Sequence, residues 1–419
     1  MKCLICLALL VLVFTTPLPS AAQTLYFPPT VGNTWQTQSA ASLGWCEEEI
    51  PALFSFLQTT NTKAFLVLKD GKMVIEQYFG TFTQDSLWYW ASAGKTMTAF
   101  LAGIAQQEGS LNINLPSSTY LGNGWTSCPP AKEALITVRN QLTMTSGLDD
   151  GVPDKDCTLP SCLLYLADAG ARWAYHNAPY TLLDEVITNA TGATLNQFYN
   201  SRVRNVIGMN GAFIPLGYNN VLFTNARSMA RFGLLILNNG AWNTTPIMTD
   251  AAYFNAMVNT SQTLNQSYGY LWWLNGKSSS MLPGLQFVFP GALFPNAPAD
   301  MISALGKNGQ ILNIVPSQNL IMIRLGNVPD ADAVPVTYNR DIWELFNNVA
   351  CCTFTPVITG SAAVCAGEPQ NYTVPPLTGS SYNWTVTGGS ILSGQGTNQI
   401  TVQWNSGTAG NVSVVQTVE

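Results

Sequence analysis

Apolar and polar positions alternate most clearly at two places far apart in the chain. In "TKAFLVLKDGKMVIEQYFG", residues 62 to 80, two runs rich in Val, Ile, Leu and Phe flank Asp70-Gly71, a pair that tolerates positive φ in a tight turn. In "QILNIVPSQNLIMIRLGN", residues 310 to 327, a second hairpin is expected around "PSQN". Between them the apolar period lengthens. "ASAGKTMTAFLAGIAQQEG" carries one apolar face and stops at Gly109, and "TNARSMARFGLLILNNG" reads as a helix capped by Thr224 and ending near Gly240. The pattern predicts an α+β domain: one antiparallel sheet made from both ends of the region, helices on its face, and an inserted helical lobe. After about residue 353 the helical period disappears. "YNWTV", "ITVQW" and "VSVVQTV" are short alternating strands separated by Gly, Ser, Thr and Asn, as in a small β-sandwich.

Composition narrows the class. The chain has 419 residues, 47% hydrophobic and 10% charged, with a net charge of -6. That suffices for a large core plus a smaller domain, and the lack of any basic run argues against nucleic-acid binding. Lys2 followed by "CLICLALLVLVF" and "PLPSAAQ" reads as an export signal, residues 1–22, too short in its apolar core to span a bilayer. No integral membrane segment is expected after its removal, and the mature protein is expected to be secreted, periplasmic or at the cell surface. Seven cysteines follow the signal: Cys46, Cys128, Cys157, Cys162, Cys351, Cys352 and Cys365. In an exported protein they are disulfide candidates, Cys157 and Cys162 being close enough to clip one loop, and the odd number leaves at least one unpaired within the chain. The expected domains are a catalytic domain over 23–352 and the β-sandwich over 353–419. The chain ends at "QTVE" without a closing polar tail, so the sandwich is expected to be incomplete at its C-terminus.

A Ser-His-Asp triad is disfavoured, because His176 is the single histidine and no G-x-S-x-G elbow occurs. "LWYWASAGKTMTAF" offers another base. Ser92 and Lys95 are spaced i, i+3 at a helix start, so they share a face, and Ser92 lies near the positive end of the helix dipole. A lysine becomes a base when burial or neighbouring cations lower its pKa, and the apolar surroundings of Lys95 supply burial. Read alone, the pair fits equally a surface serine and a lysine snorkelling off a core helix. Tyr175-His176-Asn177 and Lys307-Asn308-Gly309 are likewise ambiguous singly. The first fits a proton-carrying tyrosine of depressed pKa or a turn in the core. The second fits a strand opening at a sheet-edge cleft or a turn into a hairpin.

Together, and in this order, S-x-x-K, Y-x-N and K-x-G strongly resemble the penicillin-binding-protein and serine β-lactamase superfamily. The resemblance is to its class C branch and the related esterases and 6-aminohexanoate-dimer hydrolases. "QLTMTSGLDD" is similar to the "LLTHTSGL" stretch common in that group, and "ARSMARFGLLILNNG" and "YGYLWWLNG" look like further landmarks. The C-terminal segment resembles PKD-like, immunoglobulin-type modules, for which cell-surface or glycan contact is the expected role. The superfamily resemblance covers roughly residues 45 to 350. It implies a beta-lactamase-like fold and a serine hydrolase that cleaves an amide or ester of a small-molecule or peptide-like substrate, without metal or cofactor. It further implies Ser92 as nucleophile, Lys95 and Tyr175 as proton carriers, and Asn177, Lys307 and Gly309 as substrate-binding residues. The backbone amides of Ser92 and Gln310 would hold the oxyanion. A non-catalytic penicillin-binding-type sensor on the same fold is the alternative. The family's usual K-T-G threonine is Asn308 here. The aromatic residues Trp88, Tyr89, Trp90, Trp173, Trp272 and Trp273 fit either a substrate cleft or ordinary core packing.

Overall fold

The two hairpins meet in a single sheet. A computed structural model describes residues 25–328, 333–350, 358–364, 367–376, 380–406 and 410–418. The expected signal and Cys351, Cys352 and Cys365 lie outside the described residues. Strands β1 (Thr62–Lys69) and β2 (Lys72–Tyr78) are joined by Asp70 and Gly71, both at positive φ (52° and 81°). Adjacent positive-φ residues match the right-handed twist of the flanking strands, the requirement that Asp-Gly meets. Some 200 residues later come β3 (Trp273–Leu274), β4 (Ile302–Gly306), β5 (Gln310–Val315) and β6 (Leu320–Gly326). The β5–β6 turn is Pro316–Gln318 with Asn319 at φ 47°. The strand order is β2-β1-β6-β5-β4-β3, antiparallel throughout, with Thr62 opposite Gly326 and Lys69 opposite Leu320 where the two ends of the domain join.

Strands β5 and β6 are buried along their whole length, because helices cover both faces. On one face lies α3 (Ala226–Leu237). Its Gly233 brings the helix close to the sheet: an added Cβ would stand 2.9 Å from the Ile321 side chain and 3.0 Å from that of Leu312. The cap of this helix is Asn225, whose side chain accepts from the Ser228 N–H, and not Thr224 as the pattern suggested. Thr224 is instead buried and accepts from the Trp90 indole at 2.7 Å. On the other face lie α1 (Ile50–Thr59) and α4 (Val336–Ala350), where Asn339 of α4 and Asn313 of β5 bond each other in the core. The helix carrying Lys95 is α2 (Lys95–Gln107), buried over its first eleven residues. The inserted lobe between α2 and β3 consists of short helices, together with a hairpin (Ala212–Leu216 and Asn219–Thr224) that pairs with Trp88–Tyr89.

Arg324 pins the end of the sheet. It is fully buried, donating from Nε to Thr62, from Nη1 to the Asn308 and Gly309 carbonyls, and from Nη2 to the Thr60 carbonyl, with its guanidinium 4.9 Å from the Tyr338 ring centre. Carbonyl dipoles and an aromatic face thus replace water around the charge. Arg324→Met removes all four of these hydrogen bonds from the core. It is expected to lower stability by about 3 kcal/mol, read as a reduced denaturant midpoint at unchanged slope.

The C-terminal strands form two small sheets around their own core of Tyr372, Trp384, Ile400 and Val402. Three of them, Ser380–Thr387, Gln399–Trp404 and Asn411–Val418, contain the segments expected from alternation. Cys157 and Cys162 form the expected disulfide, Cys46 is also disulfide-bonded, and Cys128 is a buried free thiol. No helix among the described residues is long and apolar enough to cross a membrane.

Candidate active site

Ser92 lies just before α2 and not inside it. Ala91–Gly94 form one 3-10 turn, and Ala91 takes φ 47°, a left-handed backbone that a non-glycine residue adopts at a cost. Neighbouring segments hold that turn. The Trp90 N–H donates to the Leu222 carbonyl at 2.8 Å, and Gly94 packs on Leu222. From the opposite side the end of β4 abuts the same turn. A Cβ at Gly306 would overlap the Trp90 carbonyl oxygen and stand 2.9 Å from the Ala93 nitrogen and 3.1 Å from that of Ser92. The absence of a side chain at Gly306 therefore lets β4 reach the backbone of Ser92.

Lys95 opens α2 and is buried. Its Nζ donates to Ser92 Oγ at 2.8 Å and stands 4.2 Å from the Tyr180 ring centre and 5.2 Å from that of Tyr175. Burial brings the amine down to a pKa of about 7, with Asp156 and Asp184 pulling the other way. Tyr175 corrects the expectation of a depressed phenol. Burial pushes it above its ordinary value, and the hydrogen bond with the Ser92 hydroxyl acts in the opposite direction. The cause is its aromatic setting. Tyr175 stacks on Trp273 at 5.8 Å and meets Tyr268 edge-on, while Trp173 packs on both partners. The Ala174 N–H donates to the Met144 carbonyl, so the "TMTSG" segment supports this strip from behind.

A cavity with two lobes opens at Ser92. The larger, about 380 Å³, is lined by Lys155, Asp156, Tyr175, Asn177, Pro283, Gly284 and Lys307. The smaller, about 180 Å³, is lined by Lys95, Tyr180, Asn219 and Asn220, and shares Asp156, Asn177 and Lys307 with the first. Ser92, Lys95, Tyr175, Asn177 and Lys307 are thus brought together. Gly309 and Gln310 line neither lobe. Lys307–Gly309 is the turn between β4 and β5, so K-x-G does not open a strand. Gly309 packs against the Arg324 guanidinium. The Gln310 side chain is consumed by Gly326, donating to its carbonyl and accepting from its N–H, and by the Lys307 carbonyl. The glycine that meets Ser92 is Gly306, three residues earlier than the motif indicated. Asn308, at φ 64°, donates to the Tyr89 hydroxyl at 2.7 Å.

Asp156 and Tyr180 went unrecognised in the sequence. Asp156 accepts from Asn177 Nδ2 at 2.8 Å and is followed by the Cys157–Cys162 disulfide. Its position beside Cys157 in "DKDC" was the only local signal. His176 is buried outside both lobes, and burial lowers its pKa to about 4, so it is neutral at pH 7. Of the aromatic residues weighed as a cleft, Trp90, Trp173, Trp272 and Trp273 are core, and none lines the cavity.

Comparison with known proteins bears on this constellation. Residues 57–344 match the sequence model of the beta-lactamase family, and residues 353–419 match that of the PKD-like domain. No curated protein matches. Among solved structures, similarity extends to a protein provisionally assigned as a 6-aminohexanoate-dimer hydrolase, from Bacillus anthracis. It has a TM-score of 0.58 and 18% identity over 76% of this chain and 87% of that one. A provisionally assigned beta-lactamase from Bacteroides dorei gives 0.57 and 17% over 73% and 99%. A beta-lactamase from Mycobacterium bovis gives 0.52 and 17% over 71% and 99%.

Proposed function

This chain belongs to the beta-lactamase family of serine hydrolases, and on that premise we propose that it cleaves an amide or ester through an acyl-enzyme on Ser92. The observation that carries the reading is the 2.8 Å hydrogen bond from a buried Lys95 amine to Ser92 Oγ. An amine of pKa about 7 is about half free base in neutral solution, whereas the raised phenol of Tyr175 stays protonated. Lys95 is therefore the proton acceptor, and Tyr175 a protonated donor beside it.

In acylation the Ser92 oxygen attacks the carbonyl carbon while its proton passes to Lys95 Nζ. The oxyanion is held by the Ser92 N–H and, in place of the Gln310 amide, by the N–H that follows Gly306, that of Lys307. Collapse breaks the bond to the leaving group, which takes the proton from Lys95. Water then attacks the ester, gives a proton to Lys95, and releases the carboxylic acid as the Ser92 oxygen is reprotonated. Asn177, held by Asp156, and Lys307 orient the substrate. The K-T-G hydroxyl that would meet a β-lactam carboxylate has no counterpart at Asn308, which favours amides and esters outside the β-lactams. The Cys157–Cys162 disulfide supports an extracellular or periplasmic setting.

A fluorophosphonate label followed by peptide mapping tests the assignment. Modification is expected on the peptide containing Ser92 and is expected to disappear in Ser92→Ala. A label that persists in that variant would sink the proposal.

A further inference from the structure

The segment bordering the larger lobe is unusual in its surface chemistry. Pro283 and Gly284 line the cavity, and the chain then continues as Leu285-Gln286-Phe287-Val288 with no charged residue from Met281 to Gly291. Leu285, Phe287 and Val288 are 46%, 58% and 49% exposed. Scattered exposed apolar residues require no explanation, but three within four positions beside a catalytic cavity form a patch. The segment is also anchored. Gln286 Nε2 donates to the Trp173 carbonyl at 3.0 Å, Phe289–Pro290 pairs with Ser279–Ser280, and the Phe287 and Phe289 rings meet edge-on at 4.7 Å. The apolar side chains are thus held in solvent by a loop tied to the same strip of chain that carries Tyr175.

The two lobes divide a substrate. Lys95 lines the smaller lobe, which also presents Tyr180, Asn219 and Asn220. The leaving group takes its proton from Lys95, so it occupies that smaller lobe. The acyl portion then extends through the larger lobe toward Pro283 and Gly284. We infer that the enzyme prefers acyl groups bearing an extended aliphatic chain, which lies across Leu285, Phe287 and Val288. This specificity rests on the acyl-enzyme reading above. Lys155 and Lys307 also open on the larger lobe, so an acyl group ending in a carboxylate is the competing occupant.

The test uses the full-length protein and p-nitrophenyl acetate, butyrate, hexanoate and octanoate below their micelle concentrations. The mono-p-nitrophenyl ester of adipic acid is included as the carboxylate-ended probe. kcat/KM is expected to rise at least about tenfold from acetate to octanoate. The double variant Leu285→Ser/Phe287→Ser is expected to lose most of that ratio. Leu216→Ser, an equally exposed position on the hairpin beside the smaller lobe, is expected to keep it. A flat series in an enzyme that hydrolyses the esters and labels at Ser92 overturns the chain assignment alone. So does preference for the adipate ester over hexanoate, or an equal loss in Leu216→Ser, which would mark surface adsorption. Absence of both hydrolysis and Ser92 labelling overturns the parent reading instead.

Discussion

Ser92→Ala is expected to reduce ester hydrolysis by about 10⁴-fold or more without lowering the melting temperature. The serine is only half-buried, and its hydroxyl receives a hydrogen bond from Lys95. Removing that hydroxyl leaves the 3-10 turn intact, because the turn is held by backbone contacts from Trp90 and by the packing of Gly94 and Gly306. The loss should appear in kcat and kcat/KM together, since the covalent bond is made only on the reaction path. Steady-state kinetics beside calorimetry check both halves. Activity within tenfold of wild type would mean that another nucleophile acts.

Lys95→Met is expected to abolish turnover and to stabilise the fold. Burial holds the Lys95 pKa near 7, well below its usual value of 10.5. The folded protein therefore binds fewer protons than the unfolded chain between those values, so this group makes stability rise with pH across that window. Below about pH 7 the amine is charged in both states, and the full cost of burying it is present. Methionine fills similar volume without the charge. The variant should gain about 1–4 kcal/mol at pH 6 and lose the upward slope between pH 7 and 10.5, as read from denaturant midpoints in a pH series. In the wild type, kcat/KM should climb with pH and reach half its limit near 7, when the amine becomes free to accept a proton. A stability gain without loss of activity would separate Lys95 from the chemistry.

The parts of this molecule legible in sequence are those with a local cause. Asp70-Gly71 and "PSQN" announce their turns because few residue pairs accept the backbone needed, and the flanking strands alternate or run apolar. Ser92 and Lys95 are readable as a pair because one turn of helix fixes their geometry. The arrangement around them is set by contacts distant in sequence. Nothing near residue 306 says that its glycine will meet Ser92, and Gly309 looks equally suitable until Arg324 is found packed against it. The Tyr175 phenol was misjudged for the same reason. Its pKa depends on Trp273 and Tyr268, about a hundred residues away, which bring burial and no positive charge. Thr224 and Asn225 are both acceptable caps by type, and it is Trp90 that claims the threonine.

The sheet has a consequence for how the protein forms. Strand β1 finds its inner partner in β6, with Thr62 opposite Gly326, so the N-terminal hairpin has no completed neighbour until nearly the whole domain is present. Closing a loop of that length before any pairing is rewarded makes folding slow and strongly non-local. Ser92 and Lys95 lie between the two ends, and the backbone of Ser92 meets its second wall only when Gly306 arrives with the late strands. Catalytic competence should therefore return in step with the slowest refolding phase, and a chain cut before residue 300 has no partly active form to offer.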